Sequence, residues 1–280
     1  DDAGGLAVAY KLNSTINRSY ATIQNAQNAL SYLQVQDSSL ATVGKILDRM
    51  AELRTMAQDI TKNSGDIENY SKEFIELQSQ LRQIKEEKFN GISLFSINTG
   101  TAASSKAQLG VNASGVYVDA DGVSQTYSKF SRQLLTHPSG TSSDGSISLN
   151  VVNLQFVLSL NGTSDLGRFS GNTAGVGGAT ITNGYFSDIT DISIATFNIA
   201  IEKLADMRAE NGAEQNRVMQ RIDLLQTNIT NLESAHGKIM DADIAMESTR
   251  FARYNILVQA SASMTAQANQ LSNVALSLIG

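Results

Sequence analysis

From Ile194 to Ile239 the chain holds one unbroken three-four spacing of seam positions: Ile194, Phe197, Ile201, Leu204, Arg208, Asn211, Gln215, Val218, Ile222, Leu225, Ile229, Leu232, His236 and Ile239. A stripe of that length requires a long helix with a partner alongside it. Asn211-Gly212 ordinarily marks a turn, but a turn has no reason to preserve heptad phase on both sides. One helix is therefore expected through Gly212, at a cost of about 1 kcal/mol relative to Ala. The seam turns polar at Arg208, Asn211 and Gln215. Polar residues there fix register or meet a partner, or else belong to an exposed stretch of helix that outruns its local core.

The N-terminal flank carries the same signal in pieces. Ile23, Ala26, Leu30, Leu33, Asp37 and Leu40 form one seam; Val43, Ile46, Met50, Leu53, Ala57 and Ile60 resume it after one missing residue, a slip that rotates the stripe rather than ending the helix. A second run, Ile67, Tyr70, Phe74, Leu77, Leu81, Ile84 and Lys88, predicts another helix, with Asp66 as N-cap and Asn90-Gly91 as stop.

Beyond Met240 the phase breaks across Asp241-Ala242-Asp243 and restarts as Tyr254, Leu257, Ser261, Met264, Ala268, Leu271, Ala275, Leu278. No charged residue follows Arg253. Gln259, Gln267, Asn269, Gln270 and Asn273 interrupt the apolar run, and a bilayer span needs about 20 mostly apolar residues. Small residues alternating with Leu or Met instead suit close helix packing, and the absence of charge suits a helix covered on both faces. Such a helix looks built for neighbouring subunits, with Leu257, Met264, Leu271 and Leu278 joining Arg208, Asn211 and Gln215 as interface candidates.

The middle of the chain is different in kind. Of 21 Gly, 13 lie between Thr99 and Thr190, a stretch with nine charged residues and no Glu. Helical flanks thus enclose a β-rich insertion, an α+β chain in which both flanks form a long antiparallel coiled-coil-like rod. The divisions are 1–98, a helical rod segment with a terminal hairpin; 99–190, the central β-rich domain; 191–240, the long rod helix; and 241–280, the terminal helix. Val116-Tyr117-Val118, Ile147 to Val151, and the alternation Val152, Leu154, Phe156, Leu158, Leu160 predict strands, and Ser124 to Leu135 a short helix.

Composition and motifs exclude most chemistry. The 280 residues include no Cys, which removes disulfides, thiolate metal sites and a Cys nucleophile. A net charge of −6 without a Lys/Arg run argues against nucleic acid as a partner. The first residues show no basic segment followed by an apolar core. His137 and His236 stand far apart, and no HExxH, Walker lysine loop or nucleophile elbow occurs. Glu233, His236 and Asp241 are the minimum for a weak metal pair, but His236 is a seam residue, where packing is the expected role. Asp119-Ala120-Asp121-Gly122 resembles a calcium-loop opening without its twelfth-position acid, and a β-turn explains it as well. The glycines of Gly171 to Gly178 read as loop. No enzyme activity, cofactor or metal is expected.

The flank motifs resemble those of a family. Asp1-Asp2-Ala3-Gly4-Gly5-Leu6-Ala7 is similar to the DDAAGLA motif of bacterial flagellins, Arg49-Met50-Ala51-Glu52-Leu53 to their RMRELA, and Phe89-Asn90-Gly91 to the FNG preceding a hairpin. Arg208 to Arg217 resembles RAxLGAxQNR, Asp241 to Ala245 resembles DADxA, and Ala266 to Gln270 reads AQANQ. The motifs stand in the family's order and cover both flanks, not the centre. In flagellins DDAAGLA follows a further helical segment that pairs with the terminal helix, so the resemblance implies a chain lacking that segment, with its tail deprived of the usual partner and native polymerisation lost. The family's frequent Pro after AQANQL is Ser272 here.

The resemblance implies a structural, self-assembling subunit of the flagellar filament, extracellular and serving motility. The implied partners are further copies in a homopolymer, an export chaperone, hook-associated and cap proteins, an innate immune receptor, and glycans. In the segment that receptor reads, Leu47, Arg49, Glu52 and Leu53 match the family pattern, whereas Ala51, Thr55 and Met56 depart from it. The alternative is a cell-surface binding protein on a flagellin scaffold, its centre recognising polysaccharide or a host receptor. Its aromatic candidates are Tyr117, Tyr127, Phe130, Phe156, Phe169, Tyr185 and Phe186, with no Trp to help.

Overall fold

The computed structural model describes residues 3–96, 109–118, 124–160, 164–165, 181–182, 185–186, 188–241 and 244–279, some of them, 271–279 included, by backbone alone. The chain forms two compact units: Asp1–Ser14 with Thr230–Gly280, and Thr15–Ile229. Its helices are α1 (Ala3–Met56), α2 (Ser64–Ile84), the short α3 (Leu154–Val157), α4 (Ile194–Met240) and α5 (Ile244–Ile279). Asp119 to Gly122, Phe169 and Gly171 to Gly178 lie outside the described residues.

In the larger unit α1 and α4 run antiparallel. Residues late in α1 meet residues early in α4: Gln36 bonds Asn211, Asp37 bonds Arg208, and Gly44 lies against Leu204, where an added Cβ would come within 3.2 Å of its Cδ2. The predicted seams supply the core. Leu33, Leu40, Val43, Met50 and Leu53 of α1 and Phe197, Leu204, Val218 and Leu225 of α4 are all buried. The α4 helix continues through Gly212, as its phase requires. The α1 seam ends sooner than expected: Ile60 lies beyond the helix and is fully exposed. Asp59 accepts hydrogen bonds at 2.9 Å from the Thr61 backbone and hydroxyl, a local turn that competes with further helix.

α2 packs Phe74 edge-on against Phe197, with ring centroids 6.2 Å apart. Its N-cap is Asn63, not Asp66. Asn63 accepts from the Asp66 backbone at 2.9 Å while the Asp66 carboxylate accepts from the Asn63 backbone at 3.2 Å, a capping box in which Asp66 is the third helical residue. Asn90-Gly91 is not the helix stop either. It turns a hairpin, β1 (Lys88–Phe89) to β2 (Ile92–Ser93), with φ of 50° and 77°, the two left-handed residues of a type I′ turn, so Lys88 lies in a strand and not on the α2 seam.

The central sheet is antiparallel in the order β3 (Leu109–Val118), β4 (Ser124–Leu135), β5 (Ser146–Val151). Ser124 to Leu135 is thus the middle strand rather than a helix. Pairing on both sides overrides its weak local preference, helped where Tyr127 lies across Gly115 so closely that a Cβ there would fall 2.4 Å from the ring. Conversely, Leu154 to Val157 is helical rather than extended, because Asn153 caps it by accepting from the Phe156 backbone at 3.2 Å. Among the described residues three antiparallel pairs of two-residue strands accompany the sheet: β1 with β2, β6 (Ser159–Leu160) with β7 (Ser164–Asp165), and β8 (Ile181–Thr182) with β9 (Tyr185–Phe186). Gln78 of α2 treats Phe186 as a strand would, donating to its carbonyl at 3.1 Å and accepting from its N–H at 3.2 Å.

Two stability measurements test this packing by denaturant unfolding. Gly212→Ala meets nothing within 4 Å of its new Cβ and is expected to raise stability by about 1 kcal/mol. Phe74→Ala, which empties a fully buried site, is expected to cost about 3–5 kcal/mol.

Candidate functional site

The polar interruption of the α4 seam is a hydrogen-bonded network inside the chain. Asn211, 2% exposed, donates to Gln36 Oε1 at 2.6 Å, and Gln215 donates to Asn211 Oδ1 at 2.6 Å. Gln36 in turn donates to the Leu94 carbonyl at 2.7 Å, tying the hairpin end to the two long helices. Arg208 makes a two-pronged pair with Asp37, at 2.9 and 3.2 Å, which raises the guanidinium pKa through the hydrogen bond to that carboxylate. Thus Arg208, Asn211 and Gln215 meet partners supplied by α1 and by α4 itself.

The sheet clasps the outer side of the same stretch of α4. Tyr127 stacks on Phe156 at 4.1 Å, and the Lys203 ammonium lies 4.7 Å from the Phe156 centroid. Lys129 bonds Glu210 at 2.6 and 2.8 Å, and Arg221 donates twice to the Thr136 carbonyl, at 3.0 and 2.7 Å. Tyr117, Phe130, Phe156 and Phe186 are buried, so these aromatics of the centre serve packing rather than an open platform. Burial, followed by the charges of Glu210 and Asp206, pushes the Tyr127 hydroxyl up to about 12.

The four receptor candidates divide. Leu47 and Leu53 are fully buried, whereas Arg49 and Glu52 are exposed and paired at 3.1 Å, with Arg49 also gripping Glu73 at 2.7 and 3.1 Å. A ligand approaching this face of the folded unit meets the Arg49, Glu52 and Glu73 charges and not the leucines. Sequence spacing did not single out Glu73, which comes from the neighbouring helix α2.

In the smaller unit, every described side chain of α5 from Ala245 to Gln270 is exposed. Among them are Phe251, Tyr254, Ile256, Leu257, Val258 and Met264, each more than half exposed. Leu257 and Met264 therefore lie open; the side chains of Leu271 and Leu278 lie outside the described residues. Single exposed apolar residues are ordinary, whereas several large ones on one exposed helix are less so. Among the described residues no helix is long and apolar enough to cross a membrane, and no group of three or more side chains is placed to hold a metal ion.

Two family models match the helical flanks. One, for the bacterial flagellin N-terminal helical region, covers residues 1–109; the other, for the bacterial flagellin C-terminal helical region, covers 194–279. The chain belongs to the flagellin family. It is a structural subunit of the bacterial flagellar filament. Flagellin of Bacillus subtilis (strain 168) is 29% identical over 96% of this chain and 84% of its own length. The flagellar filament 33 kDa core protein of Treponema phagedenis is 26% identical over 100% of this chain and 86% of its own. A solved flagellar hook-associated protein from Vibrio parahaemolyticus shares the fold, with a TM-score of 0.60 and 14% identity over 85% of this chain and 98% of that one. One expectation is overturned. The match of the N-terminal helical region to residues 1–109 means that this segment is present, so the reading of a chain that lacks it is withdrawn, together with the loss of polymerisation inferred from it.

Replacing Asn211 by Leu strips Gln36 and Gln215 of a buried partner and is expected to cost about 1–3 kcal/mol. Asp37→Ala, which breaks a half-exposed ion pair, is expected to cost at most about 1 kcal/mol. Urea unfolding of the two variants checks the order.

Proposed function

We propose that this filament subunit assembles with further copies of itself through the open faces of α5, with Leu257 and Met264 at the contact. The observation that carries the reading is the exposure of every side chain from Ala245 to Gln270, in a segment whose sequence has no charged residue after Arg253. Burying each large apolar side chain against another subunit contributes about 1.5–3 kcal/mol, so a few such contacts per copy suffice for a polymer. Contacts of this heterologous kind repeat without closing and generate a fibre. The divisions 1–98, 99–190, 191–240 and 241–280 then take separate roles: rod segment, displayed centre, rod helix and assembly helix. The polymer is extracellular and homopolymeric, supplied by an export chaperone and continuous with hook-associated and cap proteins. Arg49 and Glu52 are the members of the receptor-recognition set that a host receptor could touch on the folded unit.

Leu257→Asp and Met264→Asp place charge on the open face. They are expected to abolish sedimentable filaments while leaving the unfolding free energy of the 15–229 unit within about 0.5 kcal/mol of the parent. Normal filament yield from both variants would overturn the assignment of α5.

A further inference from the structure

Asn-Gly dipeptides stand at Asn90, Asn161, Asn183 and Asn211. Asn161 and Asn183 lie outside the described residues, and the other two meet opposite surroundings. Asn211 is buried inside α4, its amide nitrogen bonded to Gln36 and its oxygen to Gln215, and the Gly212 N–H belongs to the helix ladder. Asn90 is exposed at the tip of the β1–β2 hairpin, and a Cβ added at Gly91 would meet nothing within 4 Å. The pairing of Phe89 with Ile92 closes that hairpin, so the ladder needs neither central N–H.

An asparagine followed by glycine carries its own electrophile and nucleophile. The Gly91 nitrogen reaches the Asn90 Cγ only when it eclipses Cβ about the Asn90 Cα–C bond, at a ψ of about −120°, the value at the first central position of a type II′ turn. The φ of 50° at Asn90 suits type II′ as well as type I′. What separates the two turns is a flip of the single peptide plane joining Asn90 to Gly91, which carries the Gly91 φ from 77° to about −80°. Glycine takes either sign readily, the surroundings are open, and both turn types fit a two-residue hairpin. The reactive geometry is therefore reached without opening the hairpin.

We infer that Asn90 is a site of spontaneous deamidation, and that the isoaspartate formed there weakens the hold of the hairpin on α1. The Gly91 nitrogen, having given its proton to solvent, bonds to the Asn90 Cγ; the Cγ–Nδ2 bond breaks, and ammonia leaves with a proton returned by solvent, giving a succinimide. Water then adds to one of the two ring carbonyls. Attack at Cγ breaks its bond to the Gly91 nitrogen and yields aspartate with the main chain restored. Attack at the main-chain carbonyl breaks the other bond and yields isoaspartate, the chain now running through Cβ and Cγ with one extra backbone carbon.

The two products differ in consequence. Asp-Gly suits a type I′ turn as Asn-Gly does, so aspartate leaves the hairpin standing. The extra carbon of isoaspartate lengthens a loop whose two-residue length fixes the register of β1 on β2. That register holds the Ser93 and Leu94 carbonyls within reach of the Tyr32 hydroxyl, at 3.2 and 3.4 Å, and the Leu94 carbonyl 2.7 Å from the Gln36 amide nitrogen, while the Tyr32 ring meets Phe89 edge-on at 6.1 Å. Leu94 also gives its N–H to the Glu87 carbonyl at 3.1 Å. The modification thus reaches Gln36, the residue that receives Asn211 across the seam.

The test uses the full chain, aged in warm, mildly alkaline buffer and mapped by peptide mass spectrometry. Asn90 is expected to convert to a mixture of aspartate and isoaspartate at least about tenfold faster than Asn211, which reacts only through local opening of α4. Conversion no faster at Asn90 than at Asn211 would overturn the assignment. Hydrogen exchange at the Leu94 amide gives the second readout. Protection is expected to fall by about tenfold or more in the isoaspartyl form, separated by chromatography, and to stay within about twofold of the parent in Asn90→Asp. Unchanged protection in the isoaspartyl form, or an equal fall in Asn90→Asp, would sink the link from isoaspartate to α1.

Discussion

The antiparallel seam of α1 and α4 is the interaction on which the larger unit depends. Its apolar rungs supply burial but little discrimination, because sliding one helix by a heptad would again set apolar residues against apolar residues. The polar interruption removes that freedom. Asn211 can bond Gln36 and Arg208 can bond Asp37 in one register only. A slip would leave the Asn211 and Gln36 amides facing hydrocarbon, at about 1–3 kcal/mol for each unpaired group. The half-exposed Arg208–Asp37 pair adds geometry more than stability. Register is thereby set by the least hydrophobic part of the seam.

That same stretch of α4 organises what lies around it. Its inner side meets α1, and through Gln36 the network reaches Leu94 beyond the hairpin. Its outer side carries Lys203, Glu210, Glu214 and Arg221, which hold Phe156, Lys129, Asn150 and Thr136 of the central region. The docking is aromatic and charged rather than a continuation of the helical core. Its contacts are separate from the apolar rungs of the α1–α4 seam, so a substitution there leaves the seam packing unchanged.

The helices were legible because period and phase are properties of the local sequence. Gly212 could be placed inside α4 since no turn preserves a heptad on both sides. The centre was less legible for an equally physical reason. Ser124 to Leu135 has neutral local preference, and its strand state comes from two partners remote in sequence, including the close fit of Tyr127 over Gly115. Val151 to Leu158 is apolar on nearly every position, so apparent alternation could not separate a buried strand from a buried helical turn; the Asn153 cap decided it. At the polar seam, spacing identified Arg208, Asn211 and Gln215 but could not say whether the partner lay in another subunit or in α1. Gln36, Glu73 and Glu214 were missed because each acquires its role only when a second element folds onto it.

The terminal helix poses a different physical problem. α5 has 36 residues, well past the length of about 12–15 at which an isolated helix becomes marginal in water, and it is rich in Ala, the strongest helix former. Its helicity can thus persist where its side chains have no cover, with backbone hydrogen bonds supplied within the segment. What the side chains from Ala245 to Gln270 lack is burial. On the proposed reading, burial comes only from other subunits, so stability of this unit depends on subunit concentration, while that of the 15–229 unit does not. The separation is useful to a polymer: one part of the chain folds on its own terms, and the other reaches its stable state only when the subunit is in place.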